Sequence, residues 1–380
     1  NLNYRSDGQA VLDELSIGKQ GDTLKLSFDM EWQRYAVETI TRIFDENRNT
    51  RERRFMNIID FVMMDVNTGD VLVMASVAKG EDGYIYNPMS NILNAYEVGS
   101  AVKGATLYMG LDQGVVQINE VILDTPLKIR DTPLKRSYRD LGRVNDLKAI
   151  SRSSNIYMFH IAMRLGGANY VFDGPLSINP EAFNTMRNYY TQFGLGTQTQ
   201  IDLPNEQTGF SGTSTVPGLL LDFAIGQYDT YTPIQLAQYA STIANGGKRI
   251  APRILLESID SQSGQINYVN PVRVLNIIDN QVALKRVQDG FRDCVVNELC
   301  RSQFSSMITP FAGKTGTAET STFDENNEWI RSHNSTIVTF GPFDQPEVAT
   351  ACVARNAWVE RSQSNICQIV TAEILKFRYP

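Results

Sequence analysis

The sequence predicts an α+β fold: an antiparallel sheet packed by helices, with an all-helical insertion. Three observations predict it. Two apolar, strand-like runs, 58–66 and 70–77, lie early in the chain, joined by Asn67-Thr68-Gly69 as a tight turn. A second pair, 336–343 and 348–355, lies near the end. Between them, from about 96 to 245, the pattern is mainly helical. Strands at both ends around a helical block fit layers of sheet and helix with the block inserted. With 380 residues, 42% hydrophobic and 20% charged, the chain holds enough apolar surface for a sizeable core, which excludes disordered, collagenous and coiled-coil readings.

The elements follow in order. Residues 1–22 are polar and turn-rich and read as a linker or the tail of a missing upstream domain, with one main domain over 23–380. Because the first residue is Asn1 and not Met, the expectation is a processed piece from which an anchor or targeting segment has been cut. A short strand is expected at 23–27, then a helix to about residue 44 capped by Asp29, with Trp32, Ala36, Ile40 and Ile43 on one face. The charged run 48–54 reads as a solvated loop. Met63, Met64 and Met74 read as strand core. The segment 124–128 is echoed at 131–135 and reads as a surface loop. Thr232, Pro233 and the stop Asn245-Gly246-Gly247 bound one helix sharply. A helix over 364–377 ends the chain.

A net charge of −7 gives no footprint for a nucleic-acid backbone and no pull toward an anionic membrane. No apolar run reaches the roughly 18–20 residues of a membrane helix. Cys294, Cys300, Cys352 and Cys367 form no Cys-x-x-Cys pair, and His160 and His333 are the only imidazoles, so no metal cluster is expected. The cysteines read as small apolar core residues. A Cys294–Cys300 bridge stays open, although positions six apart on a regular helix do not face each other. His160, among Tyr157, Phe159 and Ile161, reads as a packed helix residue.

Three patterns carry chemistry. A serine three residues before a lysine at a helix start places both side chains on one face, where a neutral amine takes the hydroxyl proton. Ser16/Lys19, Ser76/Lys79 and Ser100/Lys103 have this spacing. The first lies in the presumed linker and the second on a strand, whose alternation separates the pair. Only Ser100 and Lys103 follow a glycine and open a helical stretch. A Ser-x-Asn turn supplies a proton relay and an amide holder. Among Ser153/Asn155, Ser177/Asn179 and Ser332/Asn334, the first stands between two helical runs, 146–152 and 156–165. Lys314-Thr315-Gly316-Thr317 offers, on an edge strand, an ammonium, two hydroxyls and an open backbone N–H, with Gly316 letting a substrate backbone come close.

These elements stand in the order found in penicillin-binding proteins and serine β-lactamases, with Ser153 53 residues after Ser100 and Lys314 161 after Ser153. Glu97-Val98-Gly99-Ser100-Ala101-Val102-Lys103-Gly104 resembles the nucleophile segment of class B penicillin-binding proteins, as does Lys314-Thr315-Gly316-Thr317-Ala318-Glu319. The hairpin around Asn67 and the segment Asp222-Phe223-Ala224-Ile225-Gly226-Gln227 are similar to that family's early strands and to its helix before the last motif. Val98 stands where a proline is common, 290–307 is longer than usual, and His333-Asn334-Ser335 matches only in part.

The resemblance implies the penicillin-binding protein/serine β-lactamase-like fold, with a central antiparallel sheet and an all-helical subdomain at about 96–245. It implies a serine D,D-transpeptidase that cross-links peptidoglycan stem peptides and is acylated by β-lactams. In that scheme Ser100 is the nucleophile, Lys103 its base and Ser153 a proton shuttle. Asn155 holds a substrate amide. Lys314, Thr315 and Thr317 bind the terminal carboxylate, and the N–H groups of Ser100 and Thr317 receive the oxyanion, an effect worth about 3–4 kcal/mol per donor elsewhere. No metal or organic cofactor is needed. A separate glycan polymerase is the expected partner, and the outer face of the bacterial membrane the expected place. No Glu-x-x-Leu-Asn segment between Asn155 and Lys314 supplies the deacylating glutamate of class A β-lactamases. A D,D-carboxypeptidase, a β-lactam sensor and a non-catalytic scaffold stay open as alternatives. His333 is assigned no role.

Overall fold

The structure, a computed structural model, describes residues 2–4, 10–12, 21–359 and 365–380. Contacts divide the chain into two units. The smaller comprises 1–27 and 255–271. In it Leu255–Ile259 pairs antiparallel with Ile266–Val269 on one side and with the expected early strand, Thr23–Leu26, on the other. Leu2–Tyr4 and Ala10–Leu12 pair with each other. The remainder of 1–20, with the Ser16/Lys19 pair, lies outside the described residues.

The larger unit is built on a six-stranded antiparallel sheet: β1 (Ile58–Asp65), β2 (Val71–Gly80), β3 (Gly83–Tyr86), β4 (Ala312–Phe323), β5 (Trp329–Gly341) and β6 (Val348–Val359), in the spatial order β4-β5-β6-β1-β2-β3. Strand alternation gives the sheet two apolar faces. Ile59, Phe61 and Met63 face a core with Trp32, Ile40 and Phe44 of α1 (Met30–Glu46). Val62, Met64 and Met74 face the helical block. The helices that matter for the site are α2 (Lys103–Asp112), α3 (Asp146–Ser151), α4 (Asn155–Leu165), α5 (Pro217–Phe223), α6 (Pro233–Ala244), α7 (Gln281–Asn297) and α8 (Ile366–Lys376). All of α6 is buried, and Thr232 and Gln235 close its start as a reciprocal capping box. Asp65 Oδ1 accepts from the N–H groups of Asn67 and Thr68, both at 2.8 Å, which makes the expected turn between β1 and β2.

Three expectations need correction. The segment around 124–135 is a surface loop only in part: much of it is exposed, but Asp124, Leu127 and Ile129 are buried. The cysteines are buried but paired, as Cys294–Cys300 and Cys352–Cys367. The helical objection to the first pair fails because α7 ends at Asn297 and the chain folds back, with Cys300 N–H donating to Cys294 O at 3.0 Å. The long stretch 290–307 has a use. Lys148 of α3 pairs with Asp293 (2.9 Å) and Glu298 (3.2 Å), and Arg152 with Glu298 (2.8 Å), so α7 underpins the turn that carries Ser153. The strands β5 and β6 also run beyond the expected ends, because Ser332, Asn334 and Ser335 break the apolar signal while the ladder still pairs them.

Glycines let backbone touch backbone where the site is assembled. Gly99 has φ +55°, and a Cβ there lies 2.0 Å from Thr317 O. A Cβ on Gly226 lies 2.2 Å from Gly99 O, and Gly99 N–H donates to Gly226 O at 3.0 Å. A Cβ on Gly316 lies 2.1 Å from Val98 O. The Ser100 turn is thus wedged between β4 and the turn after α5, and Gly316 is there so that β4 packs on the nucleophile segment. That differs from the expected reason, a close approach of substrate backbone. Gly316→Ala should therefore cost about 1–3 kcal/mol, the usual penalty for overpacking, read as a lowered urea midpoint with an unchanged slope. Removing the bridge across 15 residues with Cys352→Ala and Cys367→Ala together should cost about 3 kcal/mol in the same measurement.

Candidate active site

Ser100 sits in a single 3₁₀ turn, Gly99–Val102, that runs into α2. Four contacts hold the segment before it. Tyr96 and Tyr231 exchange backbone hydrogen bonds at 2.9 Å. The Tyr96 hydroxyl donates to Asp60 Oδ2 at 2.7 Å. Gly99 is tied to Gly226 as above. Asn334 Nδ2 donates to Glu97 O at 3.1 Å, while Asn334 Oδ1 accepts from Asn356 N–H at 3.1 Å. After the serine, Tyr239 of α6 donates to Ala101 O at 3.1 Å. The nucleophile candidate thus stands on rigid elements.

Lys103 is fully buried, one turn along from Ser100. Its Nζ donates to Ser153 O (2.8 Å), Ser153 Oγ (3.2 Å) and Asn155 Oδ1 (2.6 Å). Burial holds its pKa well below the ordinary lysine value. The neighbouring Lys314 pushes the same way, and Asp124 opposes both. Ser153 adopts φ +57°, an uncommon conformation for a residue with a side chain. Ser154 then caps α4, its Oγ accepting from Tyr157 N–H at 3.0 Å. Asn155 is held at both ends: its N–H donates to Ser137 Oγ (2.9 Å), and its Nδ2 donates to Arg136 O (3.0 Å).

β4 lies at the sheet edge, as expected for the Lys-Thr-Gly segment. Alternate N–H groups of an edge strand point away from the sheet. That of Glu319 donates to Gln227 Oε1 at 3.0 Å, and Thr317, two residues earlier in an unbroken register, presents its N–H on the same side. Lys314 differs from its expectation. It is fully buried, its Nζ donates to Thr315 O at 2.8 Å, and burial lowers its pKa to about 7.

Ser100, Ser153, Asn155, Thr315, Gly316 and Thr317 line one cleft of about 1140 Å³. Lys103 and Lys314 lie behind its wall. Of the two Ser-x-x-Lys matches among the described residues, only Ser100/Lys103 has its serine in the cleft, and of the three Ser-x-Asn matches only Ser153/Asn155 lines it. Lys135 and Asp222, paired at 2.5 Å, stand at the rim. His333 also lines the cleft, stacked on Trp358 with ring centroids 4.7 Å apart, and burial lowers its pKa. A smaller cavity of about 590 Å³, beside Glu97 and Asn334, gathers none of the predicted site residues. Sequence reasoning assigned no role to Ser137, which lines the cleft, or to Asp124 and Asn334, which reach the site through other residues. The polar run 332–335 inside a strand was the visible signal for the last of them.

The penicillin-binding protein transpeptidase domain model matches residues 59–376. Penicillin-binding protein 2A of Bacillus subtilis strain 168 is 39% identical over 92% of this chain and 50% of its own length. Penicillin-binding protein H of the same strain is 42% identical over 88% of this chain and 48% of its own. A protein named peptidoglycan D,D-transpeptidase MrdA, from Acinetobacter baumannii, is 24% identical over 74% of this chain and 42% of its own length. The chain spans about half the length of the curated relatives it matches. Penicillin-binding protein 2B of Streptococcus pneumoniae strain R6 has the same fold, with a TM-score of 0.87 at 24% identity over 100% of this chain and 64% of that one. A matched family model over most of the chain, together with relatives near two-fifths identity, means that this chain belongs to the penicillin-binding protein transpeptidase family.

Proposed function

We propose that this chain is a serine D,D-transpeptidase domain that joins peptidoglycan stem peptides through a Ser100 acyl-enzyme. The observation that carries the reading is the buried Lys103 amine, one helical turn from Ser100 and anchored to Ser153 and Asn155. Lowered well below the ordinary lysine range, it is available as a neutral base. Ser100 Oγ gives its proton to Lys103 Nζ and attacks the penultimate D-Ala carbonyl carbon. The oxyanion is received by the N–H groups of Ser100 and Thr317. As the C–N bond breaks, the proton passes through Ser153 Oγ to the leaving nitrogen, and D-Ala departs. An amine of a second stem then attacks the ester and regenerates Ser100. The terminal carboxylate rests on the hydroxyls of Thr315 and Thr317, with Lys314 acting on it from behind the wall. That is a smaller part for Lys314 than direct contact.

The strained β-lactam amide presents the same carbonyl to the same groups, so β-lactams acylate Ser100. A β-lactamase needs an activated water, and no segment of this chain supplies the class A glutamate. Two disulfides suit an oxidising compartment, which supports work on the outer face of the bacterial membrane. No helix among the described residues is long and apolar enough to cross a membrane. The glycan strands come from a separate polymerase.

Intact-mass spectrometry after incubation with benzylpenicillin should show a single stable adduct that disappears in Ser100→Ala. Free hydrolysed drug without an adduct points instead to a β-lactamase, and neither product points to a closed, drug-resistant site or a scaffold, which release of D-Ala from a stem-peptide mimic separates. Lys103→Met should slow acylation by about 10²–10⁴-fold. The pH dependence follows from the sign of the Lys103 shift. Its amine loses the proton at lower pH than an ordinary lysine, so acylation should rise with pH and level off well below 10.5, the usual lysine value. A rate still climbing through the ordinary lysine range contradicts Lys103 as the base.

A further inference from the structure

Asp124 is a buried carboxylate that makes none of the contacts used in the steps above. Its Oδ2 accepts from two hydroxyls, Ser137 Oγ at 2.8 Å and Ser154 Oγ. Each of these oxygens already accepts a backbone N–H: Ser137 from Asn155 (2.9 Å) and Ser154 from Tyr157 (3.0 Å). A hydroxyl has one proton to give. Both protons therefore go to Asp124, and an ionised carboxylate, an acceptor only, is the group that suits two such donors. The chain Asp124–Ser137–Asn155 and the link Asp124–Ser154 bracket Ser153, whose left-handed backbone needs surroundings that hold it. Two charged groups act on the Lys103 amine: Lys314 from β4 and Asp124 from beneath the turn.

We propose that Asp124 is a positioning residue of the acylation step: it holds the Ser153–Ser154–Asn155 turn through two hydroxyls and places a negative charge behind the buried amine of Lys103. The inference rests on Lys103 being the base for Ser100. Burial and Lys314 both push the Lys103 pKa down, and Asp124 alone of the three pushes it up. Without that charge the amine becomes neutral at lower pH and is a weaker base. The acid limb of the acylation profile then moves to lower pH. Looser seating of the turn lowers the plateau as well.

The test compares benzylpenicillin acylation rates against pH in the whole chain for wild type, Asp124→Asn, Asp124→Glu and Ser154→Ala. Asp124→Asn should shift the acid limb to lower pH and reduce the plateau by about 10- to 100-fold. Ser154→Ala keeps the charge and loses one link, so its plateau should fall with the limb unmoved. Asp124→Glu should restore the limb. A limb at the wild-type pH in Asp124→Asn overturns the proposal, whatever the plateau does. Should thermal melting show that Asp124→Asn does not fold, the other two variants decide: wild-type plateaus in both overturn it, and lowered plateaus on a wild-type limb uphold it. A wild type that forms no Ser100 adduct defeats the parent reading instead, and is seen before any variant is compared.

Discussion

A lysine amine that is wholly buried must either be neutral or be surrounded by acceptors, because stripping water from an ammonium costs several kcal/mol. Lys103 combines a lowered pKa with three acceptors, all filled by its charged form and two by its neutral form, and much of the larger unit is arranged around it. Its three acceptors come from one turn, Ser153–Asn155. That turn needs α3 and α4 on either side, and α3 needs the ion pairs with α7. The second buried amine, Lys314, needs an edge strand pressed against the same spot. Cleft, turn and strand thus come together where a side chain that ordinarily seeks water is kept from it.

Closeness of that order leaves no room for side chains between the parts. Gly99, Gly226 and Gly316 stack the Ser100 turn, the turn after α5 and β4 with carbonyls about 2 Å from where a Cβ would be. The Tyr96–Tyr231 pair, the Tyr96–Asp60 hydrogen bond and the Asn334 amide then fix the approach to Ser100 from the sheet side. Sites carried on strands and helices hold their geometry better than sites on loops. Here the Ser153 turn, with a left-handed residue at its centre, is held by hydrogen bonds to Lys103, Ser137 and Asp124.

Much of this was legible in the sequence because it obeys short periods. Alternating apolar runs gave β1, β2 and the cores of β5 and β6, and helix-end residues gave α6. Position in the predicted elements picked Ser100 and Ser153 from among competing matches, Lys314 stood in the one Lys-Thr-Gly segment, and the cleft gathers the two serines with the Thr315–Thr317 strand. What escaped depends on tertiary contact. Asp124 sits in a short echo that reads as exposed, and nothing local announces that Ser137 and Ser154 will surround it. The bridge between Cys294 and Cys300 hinges on where α7 stops, a boundary that hydrophobic period locates poorly. The burial of Lys314 could not be read either, since a Lys-Thr-Gly strand looks the same whether its amine faces a cleft or a core.

The charge inventory of the site is therefore its least obvious design feature. Burial and Lys314 both drive the Lys103 amine toward neutrality, and basicity falls with pKa, so an opposing charge preserves its strength as a base. Two amines with a carboxylate in direct contact would form an ion pair and hold the proton too firmly. Asp124 acts on Lys103 from one layer away, through hydroxyls that are already committed to backbone N–H groups. The hydroxyls pin its position. The base proposed for Ser100 has to take up a proton and give it back within one turnover, and under that proposal Asp124, a buried acid outside the motif pattern, supplies the intermediate setting.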